Sequence, residues 1–262
     1  MRLDDTFSKL KEQNRKAFIA YVAAGDPNFR SSLDIMHALS ATGADVIELG
    51  LPFSDPLADG IVNQMAADRA LKAGMSTART LDLIREFRTK NDNTPIVLFT
   101  YLNPIFTYGF SKFQADAVEA GADGILLLDL PPDEAELSSE LAENDKLSHI
   151  RLIAPSTPPE RVKMLAEKAE GFIYALSRTG VTGGHSAPSE TIPQQVAAIK
   201  EHTAIPVCVG FGISNPEQAK MVAESADGII VGSAIVKQVE NNQDNPAQAV
   251  SDFTKPLVDA IR

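Results

Sequence analysis

Cysteine and tryptophan are nearly or wholly missing from this chain of 262 residues. Cys208 is the only cysteine, and there is no tryptophan. A lone cysteine cannot form an internal disulfide or a thiolate cluster, so a reducing compartment, the cytoplasm, is expected. The four histidines show no close metal-ligand spacing, and we expect no metal site. The sequence therefore argues against a disulfide-stabilised secreted domain and against a zinc module.

Long apolar runs and an excess of basic residues are missing as well. No run reaches the roughly 18 apolar residues that a membrane helix needs, and residues 1–15 lack the apolar stretch of a signal peptide. Lysine and arginine number 24 against 35 aspartates and glutamates, a net charge of −11. A negative mean field repels nucleic acid and anionic membranes. Binding of one small phosphate stays possible where local groups favour it.

What the chain does contain is a globular composition, 44% hydrophobic and 23% charged, with a regular alternation of short apolar runs and helical stretches. Several runs are apolar throughout, as expected of parallel strands that are buried on both faces. The predicted strands are Ala17–Ala23, Val46–Leu49, Ile96–Tyr101, Gly124–Leu128, Ile150–Ala154, Gly171–Ala175, Pro206–Val209 and Gly228–Val231.

Eight strands that alternate with helices over about 250 residues predict an α/β fold, a single (β/α)8 TIM barrel. We expect one domain over residues 1–262, with an extra N-terminal helix in Met1–Gln13 and a C-terminal helix after the polar stretch Asn241–Asn245. An open doubly wound sheet is the alternative. It would more often carry a glycine-rich turn after its first strand, and Gly25–Pro27 shows no such fingerprint.

A weak internal repeat supports the barrel. The segments Gly43–Val46, Gly121–Gly124 and Ser225–Gly228 each follow a predicted helix and open a predicted strand. A helix end, a short turn and a buried strand make up the αβ junction of a repeated βα unit. In a barrel of such units, functional side chains are expected on the loops after the carboxyl ends of the strands.

Three carboxylates lie at or just after the second strand. Glu48 stands in an otherwise apolar strand end, where desolvation would raise its pKa toward the range useful for proton transfer. The alternative is a buried glutamate paired with a lysine or an arginine. Asp55 and Asp59 lie on the following loop, next to proline and glycine, where aspartate is often only a turn residue.

Glycine-rich loops follow the last three predicted strands. They are Ser177–Gly184, Gly210–Ser214 and Gly232–Ile235, and the last opens a helix. Small residues let backbone N–H groups approach an anion, and a helix N-terminus adds a favourable dipole. Each loop alone could serve only a tight turn, but three on successive strands favour a phosphate site, which recurs at this place in TIM barrels.

The chain resembles the tryptophan synthase alpha-subunit family over nearly its whole length. The resemblance is carried by YVAAGDP, ELGLPFSDPLADG, DLPP, SRTGVTG, GFGIS and GSAIV, which begin at Tyr21, Glu48, Asp129, Ser177, Gly210 and Gly232. The run PFSDPLADG is specific to this family. Two departures are Ala20 and Ile61, where the family commonly has proline.

The resemblance implies a retro-aldol cleavage of indole-3-glycerol phosphate to indole and glyceraldehyde 3-phosphate. It implies that Glu48 transfers protons and that Asp59 stabilises charge on the indole nitrogen. It further implies a set of residues that hold the phosphate, Gly183, Gly212, Gly232 and Ser233, and a set that lines the pocket, Tyr21, Tyr174, Thr182 and Phe211.

The resemblance also implies a partner. No cofactor is expected in this chain, while pyridoxal phosphate is expected in a beta subunit that takes up the indole, in a tetramer of two alpha and two beta subunits. Asp55, Pro56 and Asn103 would face that partner. The alternatives are a free-standing indole-3-glycerol phosphate lyase, a non-catalytic phosphate-binding activator of the beta subunit, and another phosphate-binding barrel such as an isomerase or aldolase.

Overall fold

The structure is a computed structural model that describes residues 1–137, 144, 146–177, 192–210 and 212–262. The strands are β1 (Ala17–Ala23), β2 (Val46–Gly50), β3 (Ile96–Thr100), β4 (Gly124–Leu127), β5 (Ser148–His149), β6 (Arg151–Ile153), β7 (Ile173–Leu176), β8 (Val207–Gly210) and β9 (Gly228–Val231). The helices are α1 (Arg2–Glu12), α2 (Phe29–Thr42), α3 (Ile61–Lys72), α4 (Thr77–Arg88), α5 (Leu102–Tyr108), α6 (Phe110–Ala120), α7 (Pro132–Leu137), α8 (Pro159–Glu167), α9 (Ile192–Lys200), α10 (Pro216–Ala223), α11 (Ser233–Asn241) and α12 (Pro246–Ala260).

The strands form one parallel sheet in the order β5-β4-β3-β2-β1-β9-β8-β7-β6. The two strands at its ends, β5 and β6, are separated in sequence only by Ile150. Gly124 on β4 pairs with Ser148, and Arg151 pairs with Ile173 on β7. The two pieces therefore act as one interrupted fifth strand that closes the sheet. The predicted TIM barrel is confirmed, with the fifth of its eight strands divided.

The internal repeat has a physical role at the amino end of the barrel. Asp45 accepts the backbone N–H of Phe18 at 2.9 Å, and Asp123 accepts that of Ile96, also at 2.9 Å. Asp227 accepts the N–H of Val207 at 2.9 Å. Each aspartate thus ties the start of its own strand to the start of a neighbouring strand. Asp123 also forms ion pairs with Arg88 at 2.8 Å and with Arg2 at 3.0 Å.

The predicted extra helix closes the amino end of the barrel. Leu3, Phe7 and Leu10 on α1 are buried and belong to one cluster with inward-facing residues of the strands. The rings of Phe7 and Phe172 lie 5.7 Å apart between centroids. The terminal helix α12 packs on the outside, where Ser251 and Thr42 of α2 share a hydrogen bond of 2.8 Å.

Two segments differ from the sequence prediction. The helix α5 was not expected, because its apolar residues directly continue those of the third strand. The sequence pattern also predicts helices over Asp133–Asn144 and Pro188–His202, and these are described only as α7 and α9, since parts of both lie outside the described residues. In the part of the chain that the structure covers, no helix is both long and apolar enough to cross a membrane.

Candidate active site

Glu48 is buried without a hydrogen-bond partner at the carboxyl end of the barrel. Its side chain is 1% exposed, and neither carboxylate oxygen has a partner among the described residues. The alternative of an ion pair with lysine or arginine is thereby not supported. Burial in apolar surroundings raises the pKa of Glu48 from 4.5 to about 8, with desolvation as the cause. At neutral pH the group is mainly a carboxylic acid that can donate a proton.

Asp59 is buried too, but its carboxylate is held from two sides. The Tyr101 hydroxyl donates to Oδ2 at 2.8 Å, and the Asn63 amide donates to Oδ1 at 3.2 Å. Desolvation raises the pKa of Asp59, while these two hydrogen bonds lower it. The Tyr101 oxygen in turn accepts the backbone N–H of Ala58 at 3.0 Å, so one tyrosine fixes both the loop and its carboxylate.

Two tyrosines form walls of the site, and each packs against a glycine on the neighbouring strand. Tyr21 on β1 lies against Gly50 of β2, and Tyr174 on β7 lies against Gly210 of β8. A Cβ atom at either glycine would collide with the phenol ring, so the close approach requires glycine at the strand end. The ring of Phe99 meets Tyr21 edge to face at 5.1 Å.

The glycine loops after β8 and β9 lie on the same cavity as Glu48, and Asp59 adjoins that cavity through Asn63. Its lining is formed by Tyr21, Glu48, Asn63, Phe99, Tyr174, Gly212, Ile213, Gly232 and Ser233. Gly212 has φ +84°, a left-handed conformation that favours glycine. Ser233 is the first residue of α11, whose N-terminal N–H groups can bind an anion. No lysine or arginine lines the cavity among the described residues.

The structure thus brings together six of the residues named from the sequence: Glu48, Tyr21, Tyr174, Gly212, Gly232 and Ser233. Three others, Thr182, Gly183 and Phe211, lie outside the described residues. Sequence reasoning missed Asn63 and Tyr101, which both contact Asp59. The position of Tyr101 directly after a buried strand was an available signal, whereas Asn63 in the first turn of a helix resembles an ordinary surface residue.

The outer side of the Asp59 loop carries the residues named for a partner. Asp55 and Asn103 are exposed, and Pro56 is half-buried. Large apolar side chains are exposed on the same loop and on the helices α3 and α5 that flank it: Leu57 at 87%, Ile61 at 67%, Met65 at 44% and Phe106 at 55%. Clustered exposed apolar side chains often mark a protein–protein contact.

Comparison with known proteins identifies the family. The family model described as tryptophan synthase alpha chain matches residues 7–259. The chain belongs to the tryptophan synthase alpha-chain family. It is 48% identical to the tryptophan synthase alpha chain of Opitutus terrae over 260 residues, covering 99% of this chain and 97% of the relative.

Solved structures agree with that family. The tryptophan synthase alpha chain of Legionella pneumophila superposes with a TM-score of 0.89 at 38% identity, covering 99% of this chain and 97% of that one. Mycobacterium tuberculosis tryptophan synthase gives 0.90 at 36% identity, with 100% and 98% covered. The chain is accordingly a lyase of tryptophan biosynthesis.

Proposed function

We propose that Glu48 and Asp59 together cleave indole-3-glycerol phosphate to indole and glyceraldehyde 3-phosphate. The observation that carries this proposal is the buried, unpartnered carboxyl of Glu48 on a cavity that three aromatic rings and two glycine loops help to line. The aromatic walls suit an indole ring, and the N-terminus of α11 suits a phosphate. Family membership supplies the reaction, and these features supply a role for each residue.

The proposed reaction needs two proton transfers and one stabilised charge. Glu48 first donates its proton to C3 of the indole, which leaves positive charge on the indole nitrogen. Asp59 accepts a hydrogen bond from that N–H and stabilises the charge. Glu48, now a carboxylate, takes the proton of the hydroxyl on the adjacent side-chain carbon. The carbon–carbon bond breaks, its electron pair restores the indole ring, and an aldehyde forms.

Phosphate binding without a basic side chain is a second part of the proposal. Backbone N–H groups at Gly212, Gly232 and Ser233 are available near the N-terminus of α11, where the helix dipole favours an anion. From the sequence resemblance, Gly183 joins them, and Thr182 and Phe211 complete the pocket wall. The net charge of −11 does not prevent this, because the site is local.

The partner is proposed from the family and from the apolar surface around the Asp59 loop. A beta subunit that binds pyridoxal phosphate would cover Asp55, Pro56 and Asn103 and form a tetramer of two alpha and two beta subunits. The exposed side chains of Leu57 and Phe106 suit such a contact. No cofactor is proposed for this chain itself.

We further propose one domain over residues 1–262 and a cytoplasmic location, in keeping with the lone buried Cys208.

The test is incubation of the purified chain with indole-3-glycerol phosphate, with and without a beta subunit, while indole release is measured. The proposal expects slow release by the chain alone and faster release with the partner. Rapid release that the partner leaves unchanged would favour the free-standing lyase. Absence of cleavage under both conditions would favour the non-catalytic activator.

A further inference from the structure

Asn63 is a buried polar residue of the site to which the proposed reaction assigns no role. It stands in the first turn of α3, four residues after Asp59, and its side chain is 5% exposed. It lines the same cavity as Glu48. Its amide oxygen has no hydrogen-bond partner among the described residues. A buried polar atom without a partner costs free energy of folding, so its presence in the cavity calls for a functional explanation.

The orientation of the Asn63 amide follows from its neighbour. An ionised carboxylate can only accept hydrogen bonds, whereas an amide has a donating and an accepting end. The amide nitrogen must therefore face Asp59, and in the structure Asn63 Nδ2 lies 3.2 Å from Asp59 Oδ1. The amide oxygen must then point away from Asp59, which leaves an acceptor without a partner on a residue that lines the cavity.

Hydrogen bonds connect α3, the helix that carries Asn63, to the loops after β1 and β2. Arg69, further along α3, donates to both carboxylate oxygens of Asp26 at 2.8 and 2.9 Å. At the start of the helix, Gln64 donates to the backbone carbonyl of Asp59 at 2.7 Å. The amide of Asn63 is thus presented by a helix with little freedom to move, which is the condition for precise orientation of a substrate.

We propose that Asn63 contacts the substrate directly: its amide nitrogen orients the Asp59 carboxylate, and its amide oxygen accepts a hydrogen bond from a donor on the bound ligand. The inference rests on the proposed roles of Glu48 and Asp59. The donor is the glycerol-chain hydroxyl that glyceraldehyde 3-phosphate retains, because the indole N–H is assigned to Asp59 and the hydroxyl next to the ring is assigned to Glu48. Binding then supplies the partner that the amide oxygen lacks in the free protein.

The substitution Asn63→Leu tests this, because the leucine side chain has the same number and branching of heavy atoms and neither donates nor accepts. We expect kcat/KM for cleavage to fall about 10- to 100-fold, as for a lost hydrogen bond to a charged group. The matched control is Thr254→Val on α12, which removes a fully buried hydroxyl that donates to the Val250 carbonyl at 2.8 Å, far from the cavity. We expect that control to leave kcat/KM unchanged.

Thermal stability separates this role from a purely structural one. If Asn63 only supports the fold, Asn63→Leu lowers Tm at least as much as Thr254→Val does. If it serves the substrate, Asn63→Leu lowers Tm less than the control, because the unpartnered amide oxygen is removed with the rest of the group. Equal kcat/KM in wild type and Asn63→Leu would overturn the inference.

The pH profile gives a second readout. The hydrogen bond from Asn63 lowers the pKa of Asp59, so its loss shifts the acid limb of kcat/KM to higher pH. The other titratable groups around Asp59 are Tyr21 from β1, Glu48 from β2, Tyr101 after β3 and Tyr174 from β7, and none of them is altered. If Asn63→Leu does not fold, the isosteric Asn63→Asp takes its place. A protonated carboxyl can donate and accept as the amide does, so we expect little loss of kcat/KM at low pH and a growing loss as pH rises and that carboxyl ionises next to Asp59.

The two products test the hydroxyl contact. Glyceraldehyde 3-phosphate keeps the hydroxyl in question, whereas indole has only the N–H that Asp59 accepts. We expect Asn63→Leu to weaken affinity for glyceraldehyde 3-phosphate by up to about 10-fold and affinity for indole less. Unchanged affinity for glyceraldehyde 3-phosphate would contradict the proposal. If wild-type protein and Thr254→Val do not cleave indole-3-glycerol phosphate, the proposed function itself fails, and that result is distinguishable from a normal wild type with an unaffected Asn63→Leu.

Discussion

The two ends of the barrel treat buried carboxylates in opposite ways. At the amino end, Asp123 is 5% exposed and is paired with Arg88, with Arg2 and with a backbone N–H. At the carboxyl end, Glu48 is 1% exposed and both of its oxygens lack partners among the described residues. The first arrangement stabilises the fold. The second keeps a carboxyl protonated at a cost in folding free energy, which is common where an acid must react.

Asp59 stands between these extremes. Like Asp123 it accepts hydrogen bonds, from Tyr101 and Asn63, yet no lysine or arginine among the described residues pairs with it, and desolvation raises its pKa. A carboxylate that is oriented but not neutralised can still stabilise positive charge on a ligand. Asp123 is thus a structural carboxylate, Asp59 is suited to electrostatic stabilisation, and Glu48 is suited to proton transfer.

Glu48→Gln should give the largest effect on catalysis. The amide keeps the shape of the side chain but cannot exchange a proton, so we expect cleavage to fall by about 10³-fold or more. Substrate binding should be retained, and Tm at neutral pH should not fall, because the variant lacks the carboxyl whose burial lowers stability as pH rises. Indole release under saturating substrate measures the loss, and isothermal titration with glyceraldehyde 3-phosphate checks the fold of the pocket. Full activity in this variant would remove Glu48 from the mechanism.

Asp59→Asn should give the second-largest effect on catalysis. The amide cannot stabilise developing positive charge as a carboxylate does, and we expect kcat to fall roughly 100- to 1,000-fold, as for a lost electrostatic contact in a transition state. KM should change much less. Steady-state kinetics with indole-3-glycerol phosphate separates the two constants, and a rise in KM at constant kcat would show that Asp59 only binds.

Asp123→Asn, at the amino end of the barrel, should lower stability and leave catalysis unchanged. Removal of the carboxylate leaves Arg88 and Arg2 without their shared buried partner, and we expect the free energy of unfolding to fall by about 3 kcal/mol. Urea denaturation measures this change. At temperatures where the variant is folded, kcat/KM should equal that of the wild type, so a specific loss of catalysis would contradict the division between the two ends.

The pH dependence of stability gives an effect that is small for each pH unit. Because the folded-state pKa of Glu48, about 8, exceeds the ordinary value of 4.5, the folded protein binds more protons than the unfolded chain between these pH values. Its contribution to stability is therefore present at low pH and is lost as pH rises, by up to about 1.4 kcal/mol per pH unit. The difference in unfolding free energy between wild type and Glu48→Gln, followed from pH 5 to pH 8, measures this slope, and a difference independent of pH would contradict it.

Local pattern predicted the alternation of strands and helices, and with it the barrel. Glu48 could also be found from the sequence, because a charged residue inside an apolar run is rare. Asp59 could not be separated from a turn residue by spacing alone, and the family resemblance distinguished it. Tyr101 and Asn63 were missed because their contacts with Asp59 depend on folding: the Tyr101 hydroxyl meets a residue 42 positions away.

The division of the fifth strand was equally out of reach of the sequence. Ile150 lies between His149 and Arg151, and no glycine or proline marks it as the point where pairing changes from β4 to β7. Such a change depends on the closure of the whole sheet. The aspartates of the internal repeat were recognised only as part of an αβ junction, and their hydrogen bonds to neighbouring strands became visible once the register was known.

The unpaired, protonated state of Glu48 is the central claim, and a direct measurement of its pKa tests it. Protein labelled with carbon-13 at the glutamate side-chain carboxyl can be titrated by NMR, and comparison with Glu48→Gln assigns the signal. The burial of Glu48 predicts a midpoint close to 8. A midpoint close to the ordinary 4.5 would mean that the carboxyl is ionised at neutral pH, which contradicts its proposed role as the proton donor.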